Sequence, residues 1–284
     1  MFSHKNNCFQ KTDGKLGLEL KEELLRAIEQ RFPLRCYVRG LDIVLQAHCE
    51  LGRWDEAIEA GQRALSAAQE FSDDSMIAWA ATNLSAVYTH QRDVHRGIEF
   101  AELALAKAPT PVDKTRAQIF LAWALCHAGE PHRGIALLVG IMSVLKGARI
   151  VAFELWCTLF LAEGYWLAGE YDKGRETAEE LLEIADRCGA RFHIGYACYL
   201  LGEMSLETDQ GQAATHFEKS IAIFQEIKAE NVLALAYAGM GRLHKLRGEY
   251  AEARRYLTDA LEIFERLGTL IEPDKVRQEL ADFP

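Results

Sequence analysis

Long apolar runs, a positive charge balance, paired cysteines and catalytic signatures are all missing from this chain. No apolar stretch approaches the roughly 18 residues needed to span a bilayer. The opening MFSHKNNCFQKTDGK holds no h-region of a secretory signal. Acidic residues outnumber basic ones 42 to 32, for a net charge of −10, which argues against a nucleic-acid or anionic-membrane surface. The seven cysteines (Cys8, Cys36, Cys49, Cys126, Cys157, Cys188, Cys198) are odd in number and scattered, with no C-x-x-C. They read as reduced, mostly buried thiols of a soluble cytoplasmic chain.

The chemistry of catalysis is equally thin. There is no G-x-x-x-x-G-K-[ST] phosphate loop, no H-E-x-x-H and no serine set in G-x-S-x-G. Carboxylate-rich stretches such as Glu22-Glu23 and residues 176–180 (ETAEE) are solvated helix faces. His90 and His95 recur one repeat later as His127 and His132, beside Cys126. Two histidines five apart need third and fourth ligands from elsewhere to hold a metal. No enzyme activity, metal or cofactor is therefore expected.

What the chain does have is a period. Ala57, Gly97, Gly134, Gly174, Ala213 and Ala253 sit at one point of a repeated two-helix pattern, 37 to 40 residues apart. Such spacing marks a helical solenoid, because one helix pair cannot bury its own apolar face and must stack on neighbours. In the last repeat, Tyr237, Met240, Gly241 and His244 form an i, i+3, i+4, i+7 stripe that gives the first helix one buried face. Gly248 supplies a left-handed cap. Ala253, Leu257, Ala260 and Leu261 line the second helix, with Gly241 and Ala253 placed to meet where the two helices cross. The turn glycine recurs as Gly52, Gly129 and Gly169, with Arg92 in its place in the second repeat. Trp54, Val94, Tyr171 and Tyr250 open second helices, and Pro131 does so harmlessly in the third repeat. Asp73-Asp74-Ser75 and Thr110-Pro111 carry N-cap chemistry between repeats.

The pattern small–x6–G–x–aromatic–x2–A resembles the tetratricopeptide repeat over about residues 37–268. The family's usual period is about 34 residues, and roughly one further helical turn per pair absorbs the excess. This longer form looks like the C-terminal arrays of bacterial cyclase–ATPase fusions and maltose-type activators, and the closing FERLGTLIEPDKVRQELADFP is similar to the ends of cyclase-linked arrays. The resemblance implies an all-α superhelix of six helix pairs (34–270), preceded by a disordered tail (1–15) and an extra or capping helix (16–33). A short capping helix (271–284) follows. The unpaired N-terminal helix fits either a cap or the continuation of a longer chain.

The resemblance also implies that first helices line a concave groove. Carrying its groove positions over gives Trp79, Trp123, Trp156, Trp166, Tyr196 and Tyr199, with Arg39 and Arg116 early, Glu163, Glu203 and Glu207 in the middle, and Arg242 and Lys245 late. Burial of some of these rings between repeats is the competing reading. The ninth positions (Gln46, Ala86, Trp123, Glu163, Glu203, Arg242) lack the Lys/Asn clamp with which some relatives hold a C-terminal carboxylate. An aromatic groove of mixed charge suits a protein or peptide segment with apolar anchors, so a non-catalytic interaction scaffold is expected. A small-molecule sensor attached to a signalling enzyme or transcription regulator is the alternative. Self-association through an exposed array end is compatible with both.

Overall fold

The computed structural model describes residues 34–148 and 150–283; the expected tail (1–15) and extra helix (16–33) lie outside the described residues. Within them the chain is all-α, with thirteen helices and no strand. First helices α1 (Leu34–Glu50), α3 (Asp74–Gln91), α5 (Pro111–His127), α7 (Val151–Leu167), α9 (Arg191–Ser205) and α11 (Glu230–Leu246) alternate with second helices α2 (Trp54–Glu70), α4 (Val94–Lys107), α6 (Pro131–Ala148), α8 (Tyr171–Cys188), α10 (Gln210–Ile227) and α12 (Tyr250–Leu267). A short α13 (Glu272–Ala281) follows. Helices of 14 to 18 residues and turns of two to four account for the long period.

Every helix packs on its chain neighbours, and each first helix also packs on the first helices of adjacent repeats. The first helices therefore form an inner layer. Burial follows from that position: α2, α8 and α12 bury one stripe each, whereas α3 and α9 are buried nearly all round. The single buried face expected for α11 is thus too narrow. Asn231, Val232, Leu235, Ala236 and Ala238 are buried as well, because the inner helices touch neighbours on both flanks.

The periodic small residue is the fourth residue of every second helix and is buried in all six repeats. A Cβ on Gly134 would stand 2.5 Å from the Ala122 carbonyl oxygen and 2.4 Å from Cys126 Sγ. Backbone-to-backbone approach of the two helices is therefore what selects glycine here. In the last repeat the contact differs slightly from the expected Gly241–Ala253 meeting. A Cβ on Gly241 would reach Leu257 Cγ at 2.7 Å and the Ala253 carbonyl oxygen at 3.3 Å. We expect Gly134→Ala to destabilise the protein by about 1–3 kcal/mol, read from urea unfolding; a change below about 0.5 kcal/mol would mean the helices separate freely.

Caps appear where the inter-repeat turns were read. Asp73 Oδ1 accepts from the Met76 amide and Thr110 Oγ1 from the Asp113 amide, with Pro111 opening α5. Arg92, the exception in the turn-glycine column, adopts φ +73°. A left-handed conformation costs a non-glycine residue about 1–2 kcal/mol, so its side chain needs an offsetting role.

That role is at a seam between the two ends of the array. Arg92 Nε donates to Glu272 Oε1 at 3.0 Å, 180 residues away. The Leu270 amide donates to the Gln91 carbonyl at 2.9 Å. Leu267 packs over Gly52 in the first turn, where a Cβ would be 2.6 Å from Leu267 Cδ1. The superhelix thus returns on itself, and its inner face becomes the wall of a ring.

Candidate functional site

The inner wall carries two adjoining regions: a buried polar cluster and a cavity. Glu163, on α7 and 1% exposed, is the centre of the cluster. It accepts from Trp123 Nε1 at 2.7 Å and from the Tyr196 hydroxyl at 2.7 Å, and His127 Nε2 lies 3.2 Å away. Arg92 Nη1 donates to His127 from 3.2 Å. Neutral His127 with its proton on Nε2 satisfies both contacts, accepting from Arg92 at Nδ1 and donating to Glu163. Burial and the Arg92 charge hold the imidazole below its ordinary pKa. Burial alone would raise the Glu163 carboxyl, but His127, Arg92 and the Tyr196 hydroxyl outweigh it and hold it well below the usual carboxylate range.

A second pair stands beside it. Arg242 on α11 bridges Glu203 on α9 and Glu279 on α13, the latter at 3.1 Å. Burial nevertheless keeps the Glu203 carboxyl above its usual value, Arg242 being the counterweight. Lys245 Nζ donates to the Glu279 carbonyl at 3.2 Å and lies 4.9 Å from the Phe283 ring.

Rings connect the cluster to the cavity. Trp123 stacks on Phe160 with centroids 4.4 Å apart, and His90 meets Trp123 edge-on at 4.6 Å. Trp156 contacts Phe160, Phe192 and His193, and Trp166 packs on Tyr199. The cavity, about 310 Å³, receives residues from all six first helices, including Leu45, Asn83, Arg116, Trp156, His193 and Asn231, and from Trp54 of α2. At its rim the guanidiniums of Arg39 and Arg116 lie 3.6 and 3.9 Å from the centroid of the half-buried Trp79 ring. Arg116 also donates to the Trp79 carbonyl at 3.2 Å and to Asn83 Oδ1. Burial pushes His193 down to about 4 and, with Arg92, His90 down to about 3. Both are therefore uncharged at neutral pH.

The residues read as a groove from sequence thus occupy three environments. Arg39, Trp79, Arg116 and Trp156 surround the cavity and its rim. Trp123, Glu163, Tyr196 and Tyr199 are buried against one another or the neighbouring rings behind it. Glu203, Arg242 and Lys245 connect to α13, Trp166 packs on Tyr199, and Glu207 is exposed in the turn after α9. The sequence reading missed Trp54, Arg92, His90, His127 and His193. Arg92 could have been found as the break in its glycine column; His90 and His127 were weighed there only as metal ligands.

No group of three or more His, Cys, Asp or Glu able to hold a metal ion occurs among the described residues. Burial raises the thiols of Cys126 and Cys157 to about 12, which makes them poor nucleophiles. No described helix is long and apolar enough to cross a membrane.

Comparison with known proteins agrees with this architecture. Residues 199–266 match the tetratricopeptide-repeat family model, covering the sixth repeat and most of the fifth. That segment carries tetratricopeptide repeats, within an all-α superhelix of the same kind. It is 25% identical over 250 residues to the regulatory protein AfsR of Streptomyces griseus, covering 87% of this chain and 24% of that protein. The chain therefore spans about a quarter of that relative's length.

Solved structures similar to it include a Rap protein complexed with competence and sporulation factor, at TM-score 0.65 and 12% identity over 99% of this chain and 87% of that one. The Rap conjugation gene regulator of plasmid pLS20, in complex with a Phr peptide, gives 0.72 and 11% over 92% and 74%. A signal transduction ATPase with numerous domains from Pyrococcus horikoshii, carrying a tetratricopeptide-repeat sensor, gives 0.62 and 10% over 97% and 44%. At these identities the likeness is one of fold.

Proposed function

We propose that the chain is a non-catalytic interaction scaffold that holds a segment of a protein or peptide partner on its inner face. The observation that carries this reading is the rim: two guanidiniums stacked on a half-buried tryptophan, beside the rings of Phe153, Trp156 and Phe192. Arginine and large aromatics in one partly exposed patch are the residue types that anchor interfaces. One solved structure of similar fold is complexed with a peptide and another with competence and sporulation factor, which supports the same use here. Trp123, Glu163, Tyr196, Tyr199, Glu203 and Arg242 fix the wall from behind in this reading. Trp166 and Lys245 extend the contact toward the C-terminal end.

The test is selection from a displayed random-peptide library, followed by binding to variants. Trp79→Ala and Trp156→Ala are each expected to weaken selected peptides at least tenfold, equivalent to about 1.4 kcal/mol, with helical content unchanged. Peptides indifferent to both changes would remove the inner face from the reading.

A second reading, a small-molecule sensor of a larger regulator, is favoured by one observation. The inner face closes to a cavity of about 310 Å³, at the small end of the roughly 300–1,000 Å³ typical of ligand pockets. The relation to a regulatory protein four times longer points the same way.

A further inference from the structure

The two ends of the array meet through a short strap, residues 269–272, where α12 gives way to α13. Thr269 is held at its own end, its Oγ1 donating to Asn231 Oδ1 on α11 at 2.8 Å. The next residues grip the other end. The Leu270 amide donates to the Gln91 carbonyl, and Glu272 accepts from Arg92 in a pair whose side chains are 11% and 9% exposed.

This contact is strained on both sides. Among the described residues, four besides glycine have a left-handed φ, and two of them, Arg92 and Ile271, stand at the seam. Ile271 has φ 64° and ψ −53°, and across it the Glu272 amide donates to the Leu270 carbonyl at 2.6 Å. That is the rare, strained form of the γ-turn, built on a β-branched residue for which positive φ is an outlier. The Ile271 side chain offers no offset: it is 48% exposed and gives α13 no cap. Such strain persists only where the surroundings over-determine it, and it concentrates at switching segments. Here the surroundings are the Leu270 and Glu272 contacts on either side, so losing the grip relaxes the turn.

What the grip covers is visible in the first repeat. Trp54 is 3% exposed, whereas Tyr171 and Tyr250, at the same point of their repeats, are 49% and 45% exposed. Leu267 and Gly268, from the end of the array, line the same cleft as Gly52 and Trp54. Among the described residues, no helix of the first two repeats packs along a helix of the last two. The seam is held at points and the array along whole helices, so the seam is the part that opens first.

We propose that residues 269–272 are a releasable latch. Ile271 leaves its left-handed conformation, the Leu270–Gln91 and Glu272–Arg92 contacts part together, and the ring opens while the repeats stay folded. Opening uncovers Trp54 and the inner wall. The latch deepens the scaffold reading and rests on it only in this, that the open form is the one a partner segment enters.

The test follows hydrogen exchange of the Leu270 amide in the full chain, against the amide of fully buried Leu200 on α9. Local release predicts that Leu270 exchanges at least about a hundredfold faster than Leu200, yet slower than a solvated amide. Glu272→Gln removes the charge opposite Arg92, and Leu267→Ala withdraws the side chain over Gly52. Each should speed Leu270 about tenfold and leave Leu200 unchanged. Ile271→Gly removes the steric penalty and should slow Leu270 about threefold. Arg277→Gln breaks only exposed pairs of α13 with Glu265 and Asp274 and should change it less than about twofold. Peptides selected on the inner face should associate about tenfold faster with the two opening variants and slower with Ile271→Gly, at unchanged dissociation rates. Should one variant fail to fold, the others carry the comparison.

Exchange of Leu270 as slow as that of Leu200 overturns the latch, because the seam then parts only with the whole fold. Exchange as fast as a solvated amide overturns it too, as does an equal response to Arg277→Gln, which would mean that α13 merely frays. Variants that alter exchange but not peptide association remove the gate and leave the inner face open at all times. If no peptide is selected, the scaffold reading fails and exchange alone decides the latch.

Discussion

Glu163→Ala is expected to destabilise the protein by about 3–5 kcal/mol, the range for breaking one partner out of a buried ionic cluster. The carboxylate is 1% exposed and is the common acceptor for Trp123, Tyr196 and His127. Removing it strands an indole N–H, a phenol and an imidazole N–H in the inner wall, and withdraws one of the negative charges that offset Arg92, leaving Glu272 as its direct partner. Those groups come from the turn after α3, from α5 and from α9, so the loss is felt across four repeats rather than within one helix. Glu163→Gln should cost less, because the amide oxygen still accepts from one or two of the donors. The order Ala worse than Gln, both well above 1 kcal/mol in urea unfolding, is the expected result. Equal and small effects would mean that the wall tolerates these donors unpaired and that the cluster is incidental to the fold.

The contrast between Glu163 and Arg39 shows where sequence reading stopped. Both were assigned to the inner face from repeat register, and both are on first helices. Register gives the helix and the side of the helix that points inward; it does not give the distance across the ring. The repeats turn tightly enough for Leu270 to reach Gln91, so side chains of the central repeats meet one another instead of facing an open groove.

Composition could not reveal this closure, because its contacts are single residues far apart in the chain, such as Arg92 and Glu272. The local parts were legible. The small residue at the helix crossing and the caps at Asp73 and Thr110 follow from short-range sterics and hydrogen bonding. The mixed charges of the presumed groove were legible as charges and illegible as pairs. Arg242 and Glu203 were read as separate groove residues, yet they neutralise one another across adjacent repeats.

The same inner wall should make the protein sensitive to acid, starting near neutrality. His193 is held down at about 4 by burial, His90 at about 3 by burial and Arg92, and His127 is lowered by burial and Arg92. In the unfolded chain each takes a proton near its ordinary value of about 6.5. Between about 6.5 and the folded value, the unfolded state therefore binds more protons, and stability falls as pH falls. The contribution is fully present above 6.5 and drains at up to about 1.4 kcal/mol per pH unit for each such histidine.

Glu163 acts in the same direction at lower pH. Its carboxyl is depressed in the folded state, so its contribution is present above about 4.5 and is lost below. Three histidines together can remove several kcal/mol between pH 6.5 and 5, against a total of about 5–15 kcal/mol for a typical domain. The urea midpoint should drop steeply over that interval, and His193→Gln, which removes one titrating site without adding a charge, should make the drop shallower. A midpoint flat from pH 7 to 5 would show that these imidazoles take up protons in the folded state, with Glu163 able to pair with His127⁺ across their 3.2 Å contact.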